Sequence, residues 1–181
     1  SSDVCSSDLK MNYRTMIEYH KENGADLTIE GVSVQAIANT HYLSGAQAPD
    51  PALAQSLSLR LALPGRSVVI TGDTGPSDRL VALARGADVL VSSILDLDAA
   101  VATIKASRPG APPAFFDTAR AHFAQHHLSP EAAGQLARAA GVGQVVFTHI
   151  GITPQRMAAA KAELTRAWSG PVVFAEDLGA Y

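Results

Sequence analysis

The chain has a single cysteine, Cys5, so no disulfide framework holds it together. It has no apolar run approaching the roughly 18 residues that a membrane-spanning helix needs, so no helix here is expected to span a bilayer. Positive charge is sparse: 14 basic residues are scattered rather than clustered, only four of them lysine, and the formal charge is −3. That balance argues against a protein whose main task is to hold a phosphate backbone. Apolar residues, by contrast, make up 47% of the chain and charged ones 17%, so a core can form and the chain is not a disordered tail. At 181 residues there is room for one ordinary domain and not for two. A soluble α/β domain fits these bounds, with the cytoplasm as the default location.

Residues 1–9 stand apart. Ser1-Ser2-Asp3-Val4 is nearly repeated as Ser6-Ser7-Asp8-Leu9, with neither a helical nor a strand period. The string resembles a translated sequencing adapter and lacks the parts of a secretory signal. Residues 1–9 are therefore expected to be a non-native leader, with Cys5 not a native residue and the natural N-terminus lying upstream.

Beyond the leader, strand and helix patterns alternate. Met11, Tyr13, Met16, Ile17 and Tyr19 have loosely helical spacing, and Asn23-Gly24 would end that helix. Leu27–Ile29 and Val32–Ala38 alternate as strands, and residues 44–56 read as a loop. Leu57, Leu59, Leu61 and Leu63 mark a half-buried strand, turned by Pro64-Gly65-Arg66 into the apolar run Ser67–Thr71. Further strands are expected at Val89–Val91, Gln144–Thr148 and Val172–Ala175. Helices are expected from Pro76 to Arg85, Asp96 to Ser107, Phe115 to Gln125, Ser129 to Gly141 and Pro154 to Trp168. One α/β unit with mixed strand pairing results.

The polar residues fall where the strands end. Ala38 runs into Asn39-Thr40-His41, Thr71 into Gly72-Asp73-Thr74-Gly75, and Phe147 into Thr148-His149. In α/β sheets such loops gather at one rim, where ligands bind. Imidazole and carboxylate together suit zinc, iron or manganese, and a catalytic site keeps one position open for water. Singly, each motif is ordinary: a Gly-Asp-Thr-Gly is usually a tight turn and a lone His a satisfied polar group. The adjacent His126 and His127 would point about 100° apart on a helix, so both are not expected on one ion. The ordered combination is what points to a metal.

That combination resembles the metallo-β-lactamase superfamily, in the branch that holds ribonuclease Z, arylsulfatase-like enzymes and related phosphodiesterases. The resemblance rests on Arg66-Ser-Val-Val-Ile-Thr-Gly-Asp73-Thr74-Gly-Pro-Ser and Leu83-Ala-Arg-Gly-Ala-Asp88-Val-Leu-Val91. It continues through His127-Leu-Ser-Pro-Glu-Ala-Ala-Gly134, Val145-Val-Phe-Thr-His149 and Gly170-Pro-Val-Val-Phe-Ala-Glu-Asp177. It implies an αββα sandwich, of which residues 10–181 would be the C-terminal portion, a mixed sheet with flanking helices. It implies His41, Asp73 and His149 as metal ligands, with Asp73 bridging two divalent ions, zinc by default and manganese or iron as alternatives. His127 would protonate the leaving group, and a metal-activated hydroxide would attack an ester, phosphodiester or lactone.

The sequence departs from this family in two places. The leading signature His-x-His-x-Asp-His is absent, so the chain alone is expected to bind metal weakly or not at all and to be inactive, its longer parent being the hydrolase. Its sheet would also lack a partner layer and expose apolar surface. Ser93 stands where the family often has an acidic residue. Two other functions remain open: a tRNA 3′-processing endonuclease of ribonuclease Z type, and a non-catalytic relative with an interaction role. The acid-leaning charge disfavours a nucleic-acid partner without excluding one, no membrane partner is expected, and a homodimer is admitted because this branch often dimerises.

Overall fold

A computed structural model describes residues 27–29, 31–42 and 56–180. The leader at 1–9, the helix expected over 11–23 and nearly all of the loop expected over 44–56 lie outside these residues. Seven strands form one sheet in sequence order. The first four, β1 (Leu27–Ile29), β2 (Val32–Ala38), β3 (Leu57–Leu63) and β4 (Arg66–Ile70), make an antiparallel meander. From β4 onward, β5 (Val89–Leu95), β6 (Gln144–Gly151) and β7 (Val172–Phe174) add in parallel.

Parallel neighbours need crossovers, and these carry the helices. Helix α1 (Asp78–Ala84) joins β4 to β5, and α2 (Leu97–Ser107), α3 (Pro113–His126) and α4 (Pro130–Ala140) join β5 to β6. Helix α5 (Met157–Ala167) joins β6 to β7. Because the order always advances in one direction, right-handed crossovers place their helices on the same face of the sheet. The core lies there: Val69, Leu90, Val145 and Phe147 of the sheet are fully buried with Leu80, Ala84, Ala137 and Leu164 of the helices. Each of the larger side chains contributes about 1.5–3 kcal/mol by leaving water.

Strands alternate their faces, so the same register defines the other side. Leu59 pairs with Ile70, Leu61 with Val68, Val68 with Val89, Ile70 with Val91 and Val91 with Val146. None of these belongs to the core cluster under the helices. Leu63 and Ile70 are 40% and 36% exposed. A groove of about 680 Å³ crosses this face, lined by Val68, Val89, Val91, Val146 and, at its rim, His149. Ala175–Gly179 also line this groove, and Val89 and Val146 within it are buried.

Most element boundaries follow the expected signals. Ser77 accepts from the Leu80 amide to cap α1, Ser129 accepts from the Ala132 amide to cap α4, and Gly141 closes α4 in the left-handed conformation. Strand β5 runs on to Leu95, past the expected end at Val91. Its buried Ser92 and Ser93 stay in the strand because their hydroxyls donate to the carbonyls of Ser93 and Gly72. Helix α5 starts at Met157 rather than Pro154, after a turn in which the Arg156 amide donates to Thr153. No helix among the described residues is long and apolar enough to cross a membrane.

Candidate metal centre

Strands β2 and β4 both run antiparallel to β3, and β5 and β6 run with β4, so their C-terminal ends share one rim. At that rim one ligand atom each of His41, Asp73 and His127 lies within 4.8 Å of the others, all three side chains half-buried. His127 follows α3 with extended backbone, φ −136° and ψ 149°, and its ring centroid is 5.1 Å from that of His41. His149 joins from the other side: its Nδ1–H donates to Asp73 Oδ1 at 3.0 Å. The four residues singled out in the sequence are therefore brought together, but not as one cluster. His149 touches Asp73 and is largely exposed, whereas His127 completes the compact group.

A bulge aims His149. Ser92 pairs with Phe147 and Ile94 with Ile150, so Ser93 alone faces both Thr148 and His149. An extra residue of this kind bends a strand and redirects its side chains. His149 takes φ +48°, a left-handed conformation rare for side-chain-bearing residues, which costs about 1–3 kcal/mol and collects at functional sites. Ser93, opposite the bulge, donates its hydroxyl to the Gly72 carbonyl at 3.1 Å and so steadies the loop of Asp73. This small neutral side chain contributes a hydrogen bond and no charge to the site.

The loop of His41 is tied down separately. Asn39 is buried, donates from Nδ2 to Ser58 Oγ and to the Thr71 carbonyl, and accepts the His41 amide on Oδ1 at 3.1 Å. His41 Nδ1 lies 3.3 Å from the His126 carbonyl. A carbonyl only accepts, so this nitrogen carries the proton and Nε2 keeps its lone pair. His126 is the last residue of α3 and His127 already extended, so the pair diverges because the helix ends between them rather than by helical rotation. Sequence reasoning missed Asn39, Thr40, Gly75 and His126 as supports. Only the adjacency of His126 to His127 hinted at one of them.

Burial lowers the His127 pKa; the Asp73 carboxylate pulls it up, and the imidazoles of His41, His126 and His149 push it down again. The net lowering favours the neutral ring, which can offer a lone pair. Two imidazoles and a carboxylate with an open fourth position match the donor set of a catalytic zinc site. The residues fit one divalent ion. Beside it, Asp73 and His149 meet at the same rim, and Glu176 and Asp177 line the groove that His149 also lines.

The profile of the beta-lactamase superfamily domain matches residues 6–150. The chain belongs to this superfamily. Its members are in general metal-dependent hydrolases. Among curated relatives, ribonuclease BN of Escherichia coli O1:K1 / APEC is 37% identical over 92 residues, covering 51% of this chain and 24% of that protein. Ribonuclease BN of Enterobacter sp. (strain 638) is 41% identical over 87 residues, covering 48% and 23%. The chain thus spans about a quarter of the curated relatives it matches. Among solved structures, the metallo-beta-lactamase fold protein YhfI from Bacillus subtilis gives a TM-score of 0.58 at 18% identity over 83% of this chain and 49% of that one. Igni18, a metallo hydrolase from Ignicoccus hospitalis KIN4/I, gives 0.53 at 13% identity over 91% and 63%. The superfamily's α/β fold, a mixed sheet with flanking helices, is the one seen here.

Proposed function

We propose that residues 10–181 are the C-terminal portion of a single metallo-β-lactamase-fold domain, and that the longer protein is a metal-dependent hydrolase of an ester, phosphodiester or lactone. The observation that carries this reading is the donor set of His41, Asp73 and His127 at one sheet rim, with His149 on the same carboxylate. The apolar groove on the sheet's other face fits a longer domain, because a second sheet packed there would complete an αββα sandwich.

A divalent ion held here, zinc in first place and manganese or iron as alternatives, would supply a water acidified to near neutrality and positive charge for the transition state. His41, through Nε2, and the Asp73 carboxylate, which also accepts from His149, would hold the ion. In the chain as it stands, His127 closes the donor set. In the longer protein, a His-x-His-x-Asp-His segment would provide the remaining ligands, freeing His127 to protonate the leaving group.

The test is an assay of the longer protein on bis(p-nitrophenyl) phosphate and a p-nitrophenyl ester, before and after exhaustive chelation. Activity should vanish with the metal and return with zinc. His149→Ala should cost bound metal, whereas His127→Ala should spare it and slow turnover. Full activity after metal removal contradicts the proposal.

One observation favours a second reading. The stretch similar to ribonuclease BN covers half of this chain at 37% identity, which fits a nuclease acting on the 3′ side of tRNA. The net charge of −3 weighs against it, since binding RNA calls for a basic face. A steep loss of RNA cleavage by the longer protein with rising salt would favour the nuclease, and a flat response the small-substrate hydrolase.

A further inference from the structure

We infer that His126 is a positioning residue for the metal site: its imidazole pins the loop of His41 so that His41 turns Nε2, and not Nδ1, toward the ion. This rests on the metal-site reading above and deepens it.

His126 is only 4% exposed, and a buried imidazole is costly unless its polar atoms are satisfied. Its Nδ1 lies 3.0 Å from the Thr40 carbonyl, which fixes the proton on that nitrogen. The contact is reciprocated one residue on, where His41 Nδ1–H reaches the His126 carbonyl at 3.3 Å. Beside it the Thr40 hydroxyl donates to the Gln125 carbonyl at 3.1 Å and accepts the Gly75 amide at 2.8 Å. The last turn of a helix leaves carbonyls without partners, and here two of them meet Thr40 and His41. The end of α3 is thereby joined to the loops of His41 and Asp73 at once, with His127 the next residue along.

A free neutral imidazole prefers the proton on Nε2, which would turn a protonated nitrogen toward the ion. The His126 carbonyl reverses that preference for His41, and it can do so only while Thr40 and His41 lie against the helix end. The His126 ring supplies the hydrogen bond that keeps them there. Partners of this type, one step removed from the metal, change its affinity about 10–100-fold.

Long-range ¹H–¹⁵N spectra of the metal-free 181-residue chain, at about pH 8 and so above the ordinary imidazole range, read the tautomer of His41 directly. Cobalt(II) titration then reads affinity. The wild type should show His41 protonated on Nδ1, and His126→Ala a mixture of tautomers. His126→Asn, whose amide nitrogen replaces Nδ1, should keep the wild-type signature. His126→Gln, whose amide nitrogen reaches the Nε2 position, should not. Cobalt affinity should fall about 10–100-fold in the Ala and Gln variants and stay within about threefold in Asn. An Ala variant with unchanged tautomer and affinity overturns the inference, as does rescue by Gln equal to that by Asn. If the Ala variant fails to fold, the Asn–Gln pair decides. If even the wild type takes up no cobalt, the metal-site reading falls while the tautomer comparison still decides the role of His126.

Discussion

Gly75 sits where the end of α3 meets the Asp73 loop, and Gly75→Ala perturbs that junction with one methyl group. A Cβ built there would lie 2.0 Å from the Gln125 carbonyl oxygen, 2.5 Å from its carbon and 3.1 Å from Thr40 Oγ1. Two of these neighbours are backbone, so a side-chain rotation cannot relieve the clash. The helix end must retreat by more than an ångström, breaking the Thr40–Gln125 and Gly75–Thr40 hydrogen bonds. Overpacking costs about 1–3 kcal/mol and each lost hydrogen bond about 0.5–1.5, so urea denaturation should show a loss of about 2–6 kcal/mol. The same retreat carries His127 away from His41 and Asp73, and cobalt affinity should fall by about tenfold or more. Gly86→Ala is the control. Gly86 has φ +62° and open space around its Cβ position, so alanine there costs about 1–2 kcal/mol of backbone strain and leaves cobalt binding unchanged. If Gly75→Ala loses no more stability than Gly86→Ala and binds cobalt like the wild type, the junction does not hold the site.

The remaining predictions concern the ion pair at Asp96, the sheet faces and His127. Burial alone would raise the Asp96 pKa, but hydrogen bonds from the Arg156 guanidinium and the amides of Ala99 and Asp98, with the charge of Arg156, outweigh it and hold the pKa below the ordinary carboxylate value. Asp96 therefore stabilises the fold above about pH 4, the unfolded value, and this contribution is lost as pH falls through the lower folded value. Asp96→Asn keeps the cap on α2, should cost about 1.5–3 kcal/mol at neutral pH, and should flatten the acid limb of a stability–pH curve. Val69→Ala, on the covered face, should cost about 2 kcal/mol, whereas Ile70→Lys, one residue on, should stay within about 0.5–1 in this chain. In the longer protein Ile70→Lys should cost several times more, as chemical denaturation would show. In this chain His127→Ala should weaken zinc binding about tenfold or more by calorimetry, opposite to its expected behaviour in the longer protein.

The strands and most helix caps could be read from the sequence because their signals are local. Alternation at Leu57, Leu59, Leu61 and Leu63 and the Ser129-Pro130 start of α4 each need only a few neighbouring residues. The convergence of His41, Asp73 and His149 could also be read, since strand ends in an α/β sheet share a rim. The continuation of β5 past Val91 could not. Ser92 and Ser93 read as a strand stop, and only the distant Gly72 carbonyl and the backbone beside them make their burial tolerable. The bulge that aims His149 depends on a mismatch of one residue between two strands, which neither strand records alone. The supporting role of His126 could not be read for the same reason, because its partner Thr40 is far away in sequence and becomes a neighbour only when α3 is docked.

The most direct test of the metal centre is calorimetric titration of zinc into the chelator-treated 181-residue chain, beside His41→Ala and Asp73→Asn. The arrangement of His41, Asp73 and His127 predicts one zinc ion per chain, with binding lost or weakened about tenfold or more in both variants. Absence of zinc binding by the wild-type chain, or binding that both variants retain at full strength, would contradict it.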